Sequence, residues 1–373
     1  MDNAGPSAIE VVARVADWLA APGEPAPWVV ETSGSTGAPK QVLLSRRAVL
    51  ASAERSARRL GGAGRWLLAL PPSYVAGLNV VVRSLVAGRP PVVVGDRPFA
   101  EAVEEAEPGA FASLVPTQLA RLLGSAADAA ALATLHTVLL GGGPIDQRLR
   151  RRAAEAGVRV VATYGSAETC GGCVYDGVPL DGVGLALGER GRVRIAGPTL
   201  ADGYGDPLLT AESFVDGWFL TSDAGRIDED GRLQLLGRLD DVVVTGGVNV
   251  PAPAVAARLR EHPSVGAAEV LGVPDEEWGN RLVAFITPSG ASGSPSGASG
   301  SPSGASGSPS GALVAELRDW VSAERPRSWA PRQVVLVDEI PLLANGKTDR
   351  LALKALLDHA QGPTRRGGGP IRR

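Results

Sequence analysis

Over the first two-thirds of this 373-residue chain, short apolar runs alternate with helical patterns, and that alternation constrains the fold more than any other feature. The runs at 28–30, 66–70, 92–94, 111–115, 137–140 and 158–162 read as strands. The stretches at 46–60, 78–86, 117–123 and 146–156 read as helices. A strand–helix alternation of this kind predicts α/β layers around a substantially parallel sheet. Ser45 is placed to cap the first of these helices and Gly61-Gly62 to stop it.

After about residue 190 the pattern changes to short strands at 193–196, 218–221 and 233–236, with a turn signal at Asp228-Glu-Asp-Gly231. From Asp241 to about Leu357 strands and helices mix again, which predicts a small α+β domain. That domain is interrupted by the heptad SGASGSP, repeated three times from Ser289 and ending in Ser310-Gly-Ala. The repeat has no apolar face to stack as a solenoid, so the expectation is a disordered Gly/Ser/Pro insert over 288–312. The arginine- and glycine-rich tail, 361–373, is expected to be unstructured too.

A hydrophobic content of 44% supports a full core, and a formal charge of -3 leaves no electrostatic footprint for nucleic acid or an anionic membrane. The start lacks the basic and apolar regions of a secretory signal, and no apolar run is long enough for membrane insertion. Two cysteines, three apart, make no disulfide framework. These features predict a cytoplasmic protein whose partners are small molecules; they leave a homo-oligomer open.

The densest chemical signal is Glu31-Thr-Ser-Gly-Ser-Thr-Gly-Ala-Pro-Lys40, directly after the first strand. Gly34 and Gly37 let backbone N–H groups approach an anion, and Ser33, Ser35, Thr36 and Lys40 add donors around the same concavity. A Walker A loop needs glycine before its lysine; here Pro39 precedes Lys40 and Gln41 follows. The stretch reads as a different kind of phosphate cradle.

The segment from Thr32 to Lys40 resembles the signature loop of the adenylate-forming superfamily, and four further segments follow in that family's order. They are Tyr164-Gly-Ser-Ala-Glu168, Gly217-Trp-Phe-Leu-Thr-Ser-Asp223, Gly237-Arg-Leu-Asp-Asp241 with Gly246-Gly247, and Pro341-Leu-Leu-Ala-Asn-Gly-Lys347. The resemblance implies a large N-terminal α/β domain with mixed sheets (1–237), a hinge (238–241) and a small mobile α+β C-terminal domain (242–360). It also implies ATP, Mg2+ and coenzyme A as cofactor and cosubstrates. Thr32, Ser33, Gly34, Ser35, Thr36, Gly37 and Lys40 would cradle phosphates, and Gly142, Gly143 and Pro144 would flank the adenine. Tyr164 would stack on that base, while Asp223 and Arg238 would hold the ribose. Glu168 would bind Mg2+, a hard cation suited to carboxylate and phosphate oxygens. Asp240 would be the hinge, and the face near Gly246 and Gly247 would admit the thiol. Lys347, with Thr36 and Glu168, would carry adenylation, because an ammonium offsets the charge of a carboxylate meeting an α-phosphate. Two features depart from the pattern: Ala167 stands where the family has threonine, and the loop begins near residue 32, as in a shortened subfamily or a truncated domain.

Within the superfamily the chain is most similar to the o-succinylbenzoate–CoA ligases, through Leu70-Pro-Pro-Ser-Tyr-Val-Ala-Gly-Leu-Asn-Val-Val-Val-Arg83 and Thr169-Cys-Gly-Gly-Cys-Val-Tyr175. The implied acid-binding residues are Tyr74, Ala76, Arg83, Gly165, Ser166, Gly171 and Gly172. Arg83 stands in an otherwise apolar helix, where a buried guanidinium needs an anionic partner. A substrate with two carboxylates supplies one, since only one of them is activated. Cys170-Gly-Gly-Cys173 lacks the second ligand pair of a zinc site and the layout of a redox pair, so it reads as pocket wall. Two other functions fit the same motifs. One is another acyl-CoA ligase or carrier-loading adenylation enzyme; the other is a catalytically reduced nucleotide- or acyl-binding protein.

Overall fold

The computed structural model describes residues 7–32, 39–289, 309–343 and 348–361. Ser33, Gly34, Ser35, Thr36 and Gly37, most of the SGASGSP repeat, Lys347 and the tail from 362 lie outside the described residues. The chain divides into two compact units, Met1–Leu235 and Leu236–Arg373.

The first unit is built on a seven-stranded sheet. Its order is Val92–Val93, Trp66–Leu68, Phe111–Leu114, Thr137–Leu140, Val160–Ser166, Gly171–Tyr175 and Val178–Pro179. The first five strands run parallel, Gly171–Tyr175 runs against them, and Val178–Pro179 turns back antiparallel to it. The parallel strands are short and apolar on both faces because helices cover both. Thr137–Leu140, for example, is buried at every residue. The strand expected from Val158 starts at Val160 instead. The Val158 N–H caps the preceding helix by donating to the Ala153 carbonyl at 2.8 Å, so it is not available to the ladder.

Two antiparallel sheets complete this unit. Trp28–Thr32 and Lys40–Leu44 form a hairpin joined by Gly203–Tyr204. Gly184–Leu187, Arg192–Ala196, Trp218–Ile227 and Phe214–Val215 form the other, with Leu233–Arg238 pairing beside Trp218–Ile227. Among the described residues no helix is long and apolar enough to cross a membrane.

Helix Arg46–Leu60 shows how local sequence sets the packing. Ser45 caps its start, its hydroxyl accepting from the Ala48 N–H, and Gly61 ends it in the left-handed region at φ 85°. Its inward face carries Ala48, Ser52, Ala53 and Ser56, small residues that allow close approach. The two buried serines are partnered: Ser52 donates to the Cys170 carbonyl at 3.1 Å, and Ser56 shares a 2.8 Å hydrogen bond with the Tyr175 hydroxyl. Helix Val75–Val86 packs beside it, so Gly171–Tyr175 is walled by two helices.

The second unit centres on three strands, Val265–Asp275, Gly279–Pro288 and Gln333–Leu336. Alternate residues of the middle strand serve two cores. Leu282, Ala284 and Ile286 pack with helices Ala252–Arg260 and Gly311–Ser322, while Val283 and Phe285 pack with helix Arg350–Gln361. Arg350 fixes that last helix by ion-pairing with both Asp241 and Glu269.

Candidate active site

The parallel strands Thr137–Leu140 and Val160–Ser166 end side by side, and the candidate residues gather at those carboxyl ends, where open α/β sheets place their ligand sites. Gly142, Gly143 and Pro144 follow the first strand on exposed backbone. Gly141, just before them, comes close to the second strand: a Cβ there would fall 2.5 Å from the Thr163 hydroxyl.

Tyr164, on the second strand, donates its hydroxyl proton to Asp223 Oδ2 at 2.8 Å. Burial, and then the Asp223 charge, push this phenol well above its usual range, so it remains a donor. Asp223 is anchored in turn, its N–H donating to the Thr221 hydroxyl at 3.0 Å. Beyond Tyr164 the chain enters a tight turn, Ala167–Thr169, held by Thr169, whose hydroxyl accepts from the Ser166 N–H at 2.9 Å. The Ser166 hydroxyl is buried with no hydrogen-bond partner among the described residues.

Glu168, in that turn, is half-buried and accepts from the Tyr204 hydroxyl at 2.7 Å. The Lys40 ammonium lies 5.7 Å from the centre of the Tyr204 ring. Thr32 closes the opposite strand of the hairpin, its hydroxyl reaching the Lys40 carbonyl at a long 3.5 Å. Lys40, Tyr204 and Glu168 are therefore linked through side-chain contacts, as Tyr164 and Asp223 are to each other, and Thr36 lies outside the described residues.

A second group lines helix Val75–Val86. Tyr74 and Ala76 are exposed at its start. Gly165 pairs with Gly172 across the antiparallel ladder, and a Cβ on Gly165 would lie 2.0 Å from the Gly171 carbonyl oxygen. Gly171, at φ 85°, also leaves room for Asn79, whose amide nitrogen would sit 2.2 Å from an added Cβ and which donates to the Cys170 carbonyl at 2.8 Å. Gly172 continues the same strand over Thr163.

Arg83 lies one helical turn past Asn79, about 6 Å along the axis. It meets Tyr175, accepting no proton itself and donating to the tyrosine hydroxyl at 3.2 Å, and it stacks over Trp66 at 5.1 Å. Arg83 is 7% exposed, and among the described residues no carboxylate lies within ion-pair distance. It also lines a cavity of about 260 Å³ with Ala53, Glu54, Ala57, Arg58 and Val86. Val75, Asn79 and Arg83 share one helix face, and among the described residues both polar side chains keep one unpartnered buried atom, Asn79 Oδ1 and Arg83 Nε.

Cys170 and Cys173 are free and fully buried; burial raises both thiols, that of Cys173 to about 12. Thiols held protonated in this way are poor nucleophiles and poor ligands.

In the second unit, Gly246 and Gly247 form the two-residue turn between Val242–Thr245 and Val248–Pro251, both at positive φ. A Cβ on Gly246 would lie 2.7 Å from the Trp278 ring, over which Arg332 stacks at 3.6 Å. Arg238 ends its strand and Asp240 lies in the turn Leu239–Asp241.

Sequence reasoning passed over Tyr204, Asn79 and Tyr175. Asn79 carried a readable signal, a polar residue four positions before Arg83 in an apolar helix. Tyr204 and Tyr175 carried none, because each sits in a strand of ordinary composition.

The profile of AMP-binding enzymes matches residues 28–204, and that of the AMP-binding enzyme C-terminal domain matches 254–347. A Mycobacterium tuberculosis protein named "Probable 2-succinylbenzoate--CoA ligase" is 42% identical over 334 residues, covering 87% of this chain and 83% of the relative. The 2-succinylbenzoate–CoA ligase of Geobacillus kaustophilus is 33% identical, over 88% of this chain and 69% of its own length. Among solved structures, the o-succinylbenzoate CoA synthetase of Bacillus subtilis, in complex with its acyl-adenylate intermediate, aligns with a TM-score of 0.71 at 27% identity. That alignment covers 87% of this chain and 68% of the other. With one profile over the parallel-sheet unit, the other over the second unit, and such relatives along most of its length, the chain belongs to the AMP-binding enzyme family, whose architecture is that of the adenylate-forming acid–CoA ligases.

Proposed function

We propose that this protein is a cytoplasmic ligase that joins 2-succinylbenzoate to coenzyme A at the expense of ATP, a step of menaquinone formation. The observation that carries the choice of acid is Arg83, a buried guanidinium with no carboxylate counterion among the described residues. Leaving such a charge unpaired costs several kcal/mol. A diacid relieves that cost with the carboxylate that is not activated. A monocarboxylate leaves it standing.

In the first half-reaction an oxygen of the succinyl carboxylate attacks the α-phosphorus of ATP, and pyrophosphate leaves. In the second, the coenzyme A sulfur attacks the acyl carbonyl carbon, its proton departs, and AMP is released. The phosphate loop, Thr32 to Lys40, binds the phosphates, with Thr36 donating to them. Gly142, Gly143, Pro144 and Tyr164 form the adenine surface, and Asp223 and Arg238 accept and donate around the ribose. Lys347 offsets the negative charge that gathers between carboxylate and α-phosphate. Asp240 is the hinge residue, and the turn at Gly246 and Gly247 opens the thiol route; domain motion of this kind completes each site in turn.

Glu168 fits Mg2+. It is a single half-buried carboxylate with one oxygen already accepting from Tyr204, a donor set suited to a cation whose shell is completed by phosphate oxygens and water. Bound there, Mg2+ would neutralise phosphate charge. Ala167 removes a hydroxyl next to Glu168, and the Ser166 hydroxyl, without a partner among the described residues, is the nearest replacement in sequence.

Acid-dependent exchange of labelled pyrophosphate into ATP tests the first half-reaction. Exchange with 2-succinylbenzoate, and none above background with benzoate, succinate or a medium-chain fatty acid, is the expected result. Equal exchange with a monocarboxylate would move the assignment to another acyl-CoA ligase.

A further inference from the structure

We infer that Tyr204 is a positioning residue for Glu168, fixing which carboxylate oxygen is left for a divalent cation. This rests on the reading of Glu168 as the cation's ligand. Tyr204 belongs to a two-residue strand that pairs with Leu43 and Val42 at the end of the phosphate-loop hairpin. Its N–H donates to the Thr210 hydroxyl at 2.8 Å, and that hydroxyl donates to the Asp206 carbonyl at 2.8 Å, so the backbone is held from both sides. The ring is 6% exposed, with Phe214 edge-on at 5.8 Å and the Lys40 ammonium 5.7 Å from its centre.

Glu168 has the opposite character. It is half-buried on a tight turn, and its long side chain is free to choose among rotamers unless something selects one. The 2.7 Å hydrogen bond from the tyrosine hydroxyl therefore passes order from Tyr204 to Glu168. With Oε1 engaged, Oε2 is the oxygen left for a cation. Because Lys40 lies against the same ring, Tyr204 also ties the end of the phosphate loop to the carboxylate. Hydrogen-bond partners of metal ligands typically contribute about 10–100-fold in metal affinity.

Mn2+ is the probe. Its binding to the full chain, in the presence of a non-hydrolysable ATP analogue, is followed by the electron paramagnetic resonance of free Mn2+. Tyr204→Phe removes only the hydroxyl and leaves the packed ring. It is expected to weaken Mn2+ binding about tenfold, with an unchanged melting temperature and unchanged affinity for the metal-free analogue. Glu168→Gln is expected to weaken it further. A loss in Glu168→Gln alone would overturn the role of Tyr204 and leave the Glu168 reading standing. No loss in either variant would overturn both. A lower melting temperature with unchanged Mn2+ binding would make Tyr204 structural only, and the inference would fail.

Discussion

The Lys347→Ala variant is expected to form the acyl-adenylate about 10²–10³-fold more slowly than the parent. It should convert chemically prepared 2-succinylbenzoyl adenylate and coenzyme A to thioester at nearly the parental rate. The asymmetry follows from the charges. In the first half-reaction an anionic carboxylate must approach an anionic phosphate, and a fixed ammonium lowers that barrier. In the second, a thiol meets an activated, less charged carbonyl, and the lysine has no comparable work. Single-turnover measurement of each half-reaction separates the two. Equal losses in both would place Lys347 in general substrate binding instead, and no loss in either would remove it from the reaction.

Arg83→Leu is the second large effect. An ion pair to a buried guanidinium contributes on the order of 3 kcal/mol, so kcat/KM for 2-succinylbenzoate should fall about a hundredfold. The loss should appear in KM for the acid and leave KM for ATP alone. The analogue without the ring carboxylate, 4-oxo-4-phenylbutanoate, should be a poor substrate of the parent and a relatively better one of the variant. Stability should move the other way. Because Arg83 is buried without a carboxylate partner among the described residues, leucine relieves a desolvation cost, and the melting temperature should hold or rise. A variant that loses stability and keeps its preference for the diacid would show Arg83 to be packing alone.

How much of this could be read from the sequence depended on how local the signal was. Helix Arg46–Leu60 was legible to the residue because Ser45 and Gly61 punctuate it. The strand expected at 218–221 extends to Ile227: polar Ser222 and Asp223 break the apolar run at a register shift, and pairing with Arg192–Ala196 resumes at Ala224. Helix Ala8–Ala20 was missed although Ser7 and Glu10 form a capping box at its start. In the candidate site, Tyr164 and Asp223 were both conspicuous in their motifs, and they prove to be hydrogen-bonded across 59 residues of chain. Arg83 was conspicuous as a charge in an apolar helix, but its neighbours Tyr175 and Trp66 could not be read, because long-range pairing brings them there. The Tyr204–Glu168 contact was invisible for the same reason: two-residue strands have no periodicity to detect.

The most direct test of the central claim is mass spectrometry of the products formed by the full chain with ATP, Mg2+, coenzyme A and, one at a time, 2-succinylbenzoate, benzoate, succinate and a medium-chain fatty acid. The account predicts a coenzyme A thioester and AMP from 2-succinylbenzoate, with none from the other three. A thioester from one of those three in place of 2-succinylbenzoate, or no adenylate and no thioester from 2-succinylbenzoate, would contradict it.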